Sequence, residues 1–202
     1  MEEWERVAQS WLEEPTQEKA LILVSVVVDG RPVWGMHEGA PMVEMFRSAR
    51  EQPAFLDLLA RFALSHRPPT GFLRDIVVEH SGEHRGRLDL KSGGLLPIVD
   101  LARWAGMAAG VTSASTNDRL SAAAAAGSLP PTEARTLQEA FDLLVGLRLE
   151  HQVEQLRAGE APDDFLDPAT LNPLTRAYLK DAFRAVASVQ RHVAGQPLLR
   201  RR

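Results

Sequence analysis

Apolar positions recur at helical spacing along most of this chain. Over residues 2–13, Trp4, Val7, Ala8 and Trp11 share one face, and Pro15 closes the segment. The spacing returns over 39–50 with Val43, Phe46 and Ala49, and over 53–65 with Phe55, Leu58, Leu59, Phe62 and Ala63. The run RPPTG then breaks it. Between the first two helices lies LILVSVVVDGRPVWG, residues 21–35, whose valine-rich half reads locally as a strand entering a turn. A strand there has no obvious partner, so a buried helix is the competing reading.

The middle of the chain changes period. Residues 72–80 and 84–91 are β-type runs around Ser81-Gly82, with Leu88 and Leu90 alternating with charged residues, which predicts a β-hairpin. Pro97 suits the first turn of a helix reaching residue 109. Ser115, with Asp118 three residues on, caps a helix over TNDRLSAAAAAG. Thr132 opens a long helix to about Arg157, and Asn172-Pro173 opens a last one to about Val193. The fold class expected is mostly α: a bundle of seven to eight helices with one small β-hairpin insertion at about 72–91. We expect a single helical domain over 1–202, with N-terminal helices in 1–70, hairpin and link in 71–94, and a C-terminal bundle in 95–195.

Composition narrows the function classes. The 202 residues carry a net charge of −4, which gives no reason to expect nucleic-acid binding. The absence of cysteine removes disulfides, thiolate metal sites and cysteine nucleophiles. No apolar run is long enough to span a bilayer, and the acidic N-terminus is unlike a signal peptide, so a cytoplasmic protein is expected. No phosphate-binding glycine loop, nucleophile elbow or zinc-protease motif occurs. His80 and His84 flank the hairpin turn without ligand spacing that would argue for a metal.

Two places could carry chemistry. In the long helix, the stripe Leu137, Phe141, Leu144 continues as Arg148, Gln152 and Gln155, with His151 beside it. Either the helix leaves the core there, or Arg148, His151 and Gln152 line a polar pocket in which Arg148 offers a fork for phosphate or carboxylate. In LDLKSGGLLPIVDLAR, Lys91 precedes two glycines and a helix start, a generic anion-holding arrangement. Asp100 and Arg103 stand at i and i+3 in the same stretch.

Six ordered segments carry a family resemblance: SVVVDGRPVWG, RPPTGF, LDLKSGGLLPIVDLARWAG, STNDRLSAAAAAGSL, AFDLLVGLRLEHQ and FLDPATLNPLTRAYLKDAF. From about Trp4 to Val193 the chain resembles a bacterial family of nucleotidyltransferase substrate-binding domains. In that family the domain follows a catalytic nucleotidyltransferase domain, often with CBS or cyclic-nucleotide-binding modules further upstream. The arrangement is similar to glutamine synthetase adenylyltransferase and PII uridylyltransferase, which carry a stretch like KSGGLLPIVD. Their catalytic part has a Gly-Ser turn followed by a D-x-D carboxylate pair for Mg²⁺; this sequence has no such constellation.

The resemblance therefore implies a substrate-binding or regulatory domain of a signal-transduction protein, inactive alone, partnered in cis or in trans with an upstream catalytic domain. Mg²⁺ and a nucleoside triphosphate are expected only with that domain, and none bound by this chain alone. Lys91 and Arg148 would contact phosphate, with His151 and Gln152 orienting. A protein acceptor and a homodimer mate are the other partners considered; nucleic acid and membrane are not. The alternative is a non-enzymatic interaction or dimerisation module using Trp34, Met36 and the alanine-rich helix. A stand-alone enzyme with His151 as base lacks a visible nucleophile. The resemblance also turns Leu21–Val28 into a helix, from about Gln17 to Asp29. Asp29 and Arg31 then cannot share a face, and each is expected to tie the bundle together rather than to face a cleft.

Overall fold

A computed structural model describes residues 2–14, 18–30, 44, 46–70, 77–111 and 115–196. Its elements, in chain order, are α1 (Glu2–Glu13), α2 (Glu18–Val28), a 3₁₀ turn (Ala49–Glu51), α3 (Pro53–Ser65), β1 (Leu88–Asp89), a π-helical turn (Leu90–Leu95), α4 (Leu96–Ala108), α5 (Thr116–Ala126), α6 (Pro131–Arg157), β2 (Phe165–Leu166) and α7 (Pro173–Ala194). The protein is mostly helical with one small antiparallel sheet, as the periodicity predicts. Two compact units form, Met1–Ser65 with Val99–Arg135 and Val193–Arg202, and His66–Ile98 with Thr136–His192.

In the first unit the valine-rich segment is a helix, not a strand. Ala20, Val24 and Val28 are buried one turn apart, while Ile22, Leu23 and Val26 remain exposed. Valine costs a helix less than about 0.7 kcal/mol relative to alanine. Burying one returns about 1.5–3 kcal/mol, so packing overrides the local β preference. Ala8, Trp11 and Leu12 of α1 and Phe55, Leu59 and Ala63 of α3 bury the matching faces. Half of the helix expected over 39–50 lies outside the described residues, as do Arg31, Trp34 and Met36; its described end buries Phe46 and Ala49. Ser115 caps α5 through the Asp118 amide. Gly127 ends that helix at φ +78°, a left-handed position that suits glycine.

In the second unit, the chain reverses where the sequence places a hairpin turn. The Glu79 N–H donates to the Arg87 carbonyl at 2.9 Å, and the Gly86 N–H to the Glu79 carbonyl at 2.8 Å. The strand that pairs with β1 comes from elsewhere, however: Leu88 faces Leu166 and Asp89 faces Phe165. Residues 72–76 of the expected first strand lie outside the described residues. Leu90, Leu95, Leu137, Leu144, Leu179 and Phe183 supply this unit's core. Gly94 is closely packed: a Cβ there would stand 3.2 Å from Leu144 Cδ2.

Candidate functional site

The polar half of α6 faces the connection Ala158–Asn172 in the second unit. Arg148 Nε donates to Asp164 Oδ1 at 2.5 Å, and Gln152 Nε2 donates to the same oxygen at 3.0 Å. His151 Nε2 lies 3.0 Å from Asp163 Oδ1. A carboxylate only accepts, so that ring nitrogen carries the proton. Gln155, 8% exposed, accepts from the Asp163 amide at 2.9 Å. The Phe165 amide donates to Asp163 Oδ1 at 2.9 Å, and Arg87 stands 3.8 Å from the other carboxylate oxygen. Burial opposes ionisation of Asp163, but the His151 ring and the Phe165 amide hold its carboxyl below the ordinary value.

The stripe thus turns polar because it clamps an acidic strap, and the side chains predicted to line a pocket are engaged there. Asp163 and Asp164, twelve and sixteen residues from His151 and Arg148, were not among the predicted site residues. Their signal was available: two adjacent carboxylates follow a cationic helix face at a spacing one short loop can close. His84 meets Phe165 rather than His80, its ring stacked at 3.6 Å and 3°. Among the described residues no group of three or more His, Cys, Asp or Glu could hold a metal ion.

Lys91 opens the π-helical turn. Asp89 caps that turn, accepting from the Lys91 and Ser92 amides at 2.9 and 2.8 Å. A carboxylate of the chain itself therefore occupies the backbone donors that an anion would use. The Lys91 side chain is exposed, and among the described residues its ammonium has no partner. The neighbouring Leu90 amide donates to the Asp164 carbonyl at 2.9 Å, so the Lys91 turn and the Arg148 clamp are joined through one residue.

The predicted residues of the first unit form a separate cluster. Asp29 accepts from Arg119 Nη1 at 2.6 Å and from Arg103 through both Nε and Nη2. Arg103 Nη1 also donates to Asp100 at 2.6 Å, and Arg119 Nη2 donates to the Val28 carbonyl at 2.7 Å. Burial favours the neutral Asp29, yet hydrogen bonds and charge from Arg103 and Arg119 hold its carboxyl below the ordinary value. Burial likewise opposes the Arg103 charge, and Asp29 with Asp100 raises its pKa further from neutrality. Asp29, Asp100 and Arg103 act as ties of the helical packing. Arg119, 1% exposed, completes them and was missed. It stands on the buried face of α5 with Leu120 and Ala123, and a cation on an apolar stripe is the sign that would have shown it.

Residues 53–196 match the model of the family described as "Putative nucleotidyltransferase substrate binding domain". The chain belongs to that family. The match takes in the Lys91 turn, the Arg148 clamp and both arginines of the buried cluster, and leaves Asp29 and the SVVVDGRPVWG segment outside it. No curated protein and no solved structure matches the chain. For this nucleotidyltransferase substrate-binding domain, no helix among the described residues is long and apolar enough to cross a membrane.

Proposed function

We propose that this chain is the substrate-binding half of a two-part nucleotidyltransferase in a signal-transduction protein, with catalysis supplied by a linked or separate catalytic domain. The family match over 53–196 carries this reading. The sequence contributes no Gly-Ser turn with a D-x-D pair, and the described residues offer no cluster of metal ligands. The partner's carboxylates would hold the Mg²⁺ of a nucleoside triphosphate, and this chain alone would be inactive. Lys91 is the phosphate contact, since its ammonium is solvent-facing. Arg148 reaches phosphate only by exchanging it for Asp164; otherwise, with His151 and Gln152, it positions the strap beside Lys91.

The test is reconstitution with the catalytic domain, in cis or in trans, and titration with Mg-ATP. Lys91→Ala is expected to weaken nucleotide binding about tenfold, the loss of one charge-assisted contact. If Lys91→Ala and Arg148→Ala both left binding and transfer intact, the site assignment would fail. A second reading, a helical interaction module, has its own observation: Val145, Leu149 and Leu156 are exposed along one face of α6. A concentration-dependent dimer that Leu149→Glu dissolves would favour it; a monomer at all concentrations would remove its homodimer form.

A further inference from the structure

The donors around Lys91 and Arg148 are held by carboxylates of the chain itself. Asp89 takes the Lys91 and Ser92 amides, and Asp163 takes the His151 ring N–H and the Phe165 amide. Asp164 takes Arg148 Nε and the Gln152 side-chain amide. A carboxylate offers donors the same kind of charged acceptor oxygen that a phosphate does, so these aspartates sit where a ligand would.

They are not equally free to leave. Asp89 closes the π-helical turn on its own backbone and stands opposite Phe165 in the sheet. Asp163 is fixed from several sides: its own amide donates to Gln155 Oε1 at 2.9 Å, and Arg87 Nη1 stands 3.8 Å from its Oδ2. Asp164 differs. Its side chain accepts through one oxygen, Oδ1, and from side chains, at 2.5 Å from Arg148 and 3.0 Å from Gln152. Its backbone is anchored separately, by its carbonyl to the Leu90 amide at 2.9 Å and by the β1–β2 pairing that follows at once. A rotation of the Asp164 side chain about Cα–Cβ therefore uncovers the Nε edge of Arg148 while the strap stays in place. The Asp164 side chain is 21% exposed and that of Arg148 35%, so both already meet water.

We propose that Asp164 is an internal ligand that autoinhibits this site, occupying the Arg148 fork until the phosphate group of the substrate displaces it. The inference rests on the reading of Arg148 as a phosphate contact. It carries a sign opposite to that of an ordinary site residue. Apparent affinity is lowered by the small fraction of molecules in which Asp164 has let go, so removing its charge raises affinity.

Inorganic phosphate is titrated into the full chain at constant ionic strength, following backbone amide resonances. Asp164→Asn is expected to tighten a saturable response at Leu90, Arg148 and Gln152 about tenfold, the worth of one charge-assisted hydrogen bond. Asp164→Ala, which also removes the acceptor, should tighten it at least as much, with thermal melting showing that both variants stay folded. Glu160→Gln removes the same charge from an exposed position of the strap and should leave the response unchanged. Arg148→Gln added to Asp164→Asn should abolish the gain. No saturable response, an unchanged affinity in both Asp164 variants, an equal gain in Glu160→Gln, or a gain that survives Arg148→Gln would each overturn the proposal. The substrate-binding reading fails separately: Lys91→Ala, measured with Mg-ATP in the reconstituted enzyme, reports on it whichever way the Asp164 variants turn out.

Discussion

Arg119 is a charge placed where hydrophobic residues normally go, and its partners decide whether that is tolerable. It is 1% exposed, whereas the Asp29 carboxylate it meets is 36% exposed at the side chain, so the pair keeps some contact with water. Removing one member of a buried pair typically costs about 3–5 kcal/mol. Asp29 can rehydrate and still has Arg103, so Arg119→Ala is expected to destabilise by about 3 kcal/mol, read by urea denaturation, the low end of that range. The same cluster sets an acid response. The Asp29 carboxyl titrates in the folded protein below its ordinary value of 3.8. A depressed carboxyl stabilises above the unfolded pKa and loses that contribution as pH falls through the folded one. Stability should therefore hold above about pH 5 and decline below it. Asp29→Asn cannot titrate: it should be less stable at pH 7 and closer to the parent at pH 3. Asp163, also held low, keeps a residual acid slope in the variant. Parallel stability curves from pH 7 to pH 3 would show that Asp29 does not carry this effect.

Two helical glycines give opposite expectations at the scale of an element. Gly146 is exposed in α6, and a Cβ there would meet nothing within 4 Å. Gly146→Ala should stabilise by about 0.8–1 kcal/mol, the propensity difference alone. Gly106 of α4 would set its Cβ 3.0 Å from Arg119 Cγ and 3.1 Å from Arg119 Cβ. That stem cannot swing aside without releasing Asp29 and Val28, so Gly106→Ala should lose more than the roughly 1 kcal/mol it gains, given an overpacking cost of about 1–3 kcal/mol. Melting temperatures that rise for both variants would refute the idea that Arg119 is locked. The elements themselves were largely legible. Ser115, Asn172 and Pro173 mark helix starts because capping is local chemistry, and α1 and α3 follow from their apolar spacing. The partner of β1 was not legible, since Phe165–Leu166 stands far along the chain and a two-residue strand leaves no alternation to read. Leu21–Val28 misled locally for the converse reason: valine's preference is a fraction of what tertiary burial decides. Arg148, His151 and Gln152 were visible as an apolar stripe turning polar, and Lys91 as a lysine before two glycines and a helix start. What they bond was hidden, because Asp163 and Asp164 look like ordinary loop residues until the loop folds back.

At the scale of the whole molecule, the boundary of the family match and the boundary of the fold differ. The match begins at residue 53, but Arg103 and Arg119, which lie inside it, are neutralised by Asp29, which lies outside. Val28, also outside, supplies the carbonyl for Arg119. A chain shortened to residues 53–202 would leave two substantially buried guanidiniums facing only Asp100 among the carboxylates of this cluster. It would also uncover the apolar faces of α3 that meet α2. Burying a charge without its partner costs several kcal/mol, comparable with the 5–15 kcal/mol of a typical domain's total stability. The shortened chain is therefore expected to lose its cooperative unfolding transition, or to melt far below the full chain by circular dichroism. Removing only residues 1–13 keeps Asp29 and should be milder. The charge argument separates from the simple loss of apolar contacts in one further variant. Arg103→Met with Arg119→Met in the 53–202 chain removes the cations that lose Asp29 while keeping volume, and should restore part of the transition. The same double substitution in the full chain strands Asp29 and should gain nothing. If the double variant melted no better than the shortened parent, the N-terminal helices would matter to this unit through their apolar faces and not through Asp29.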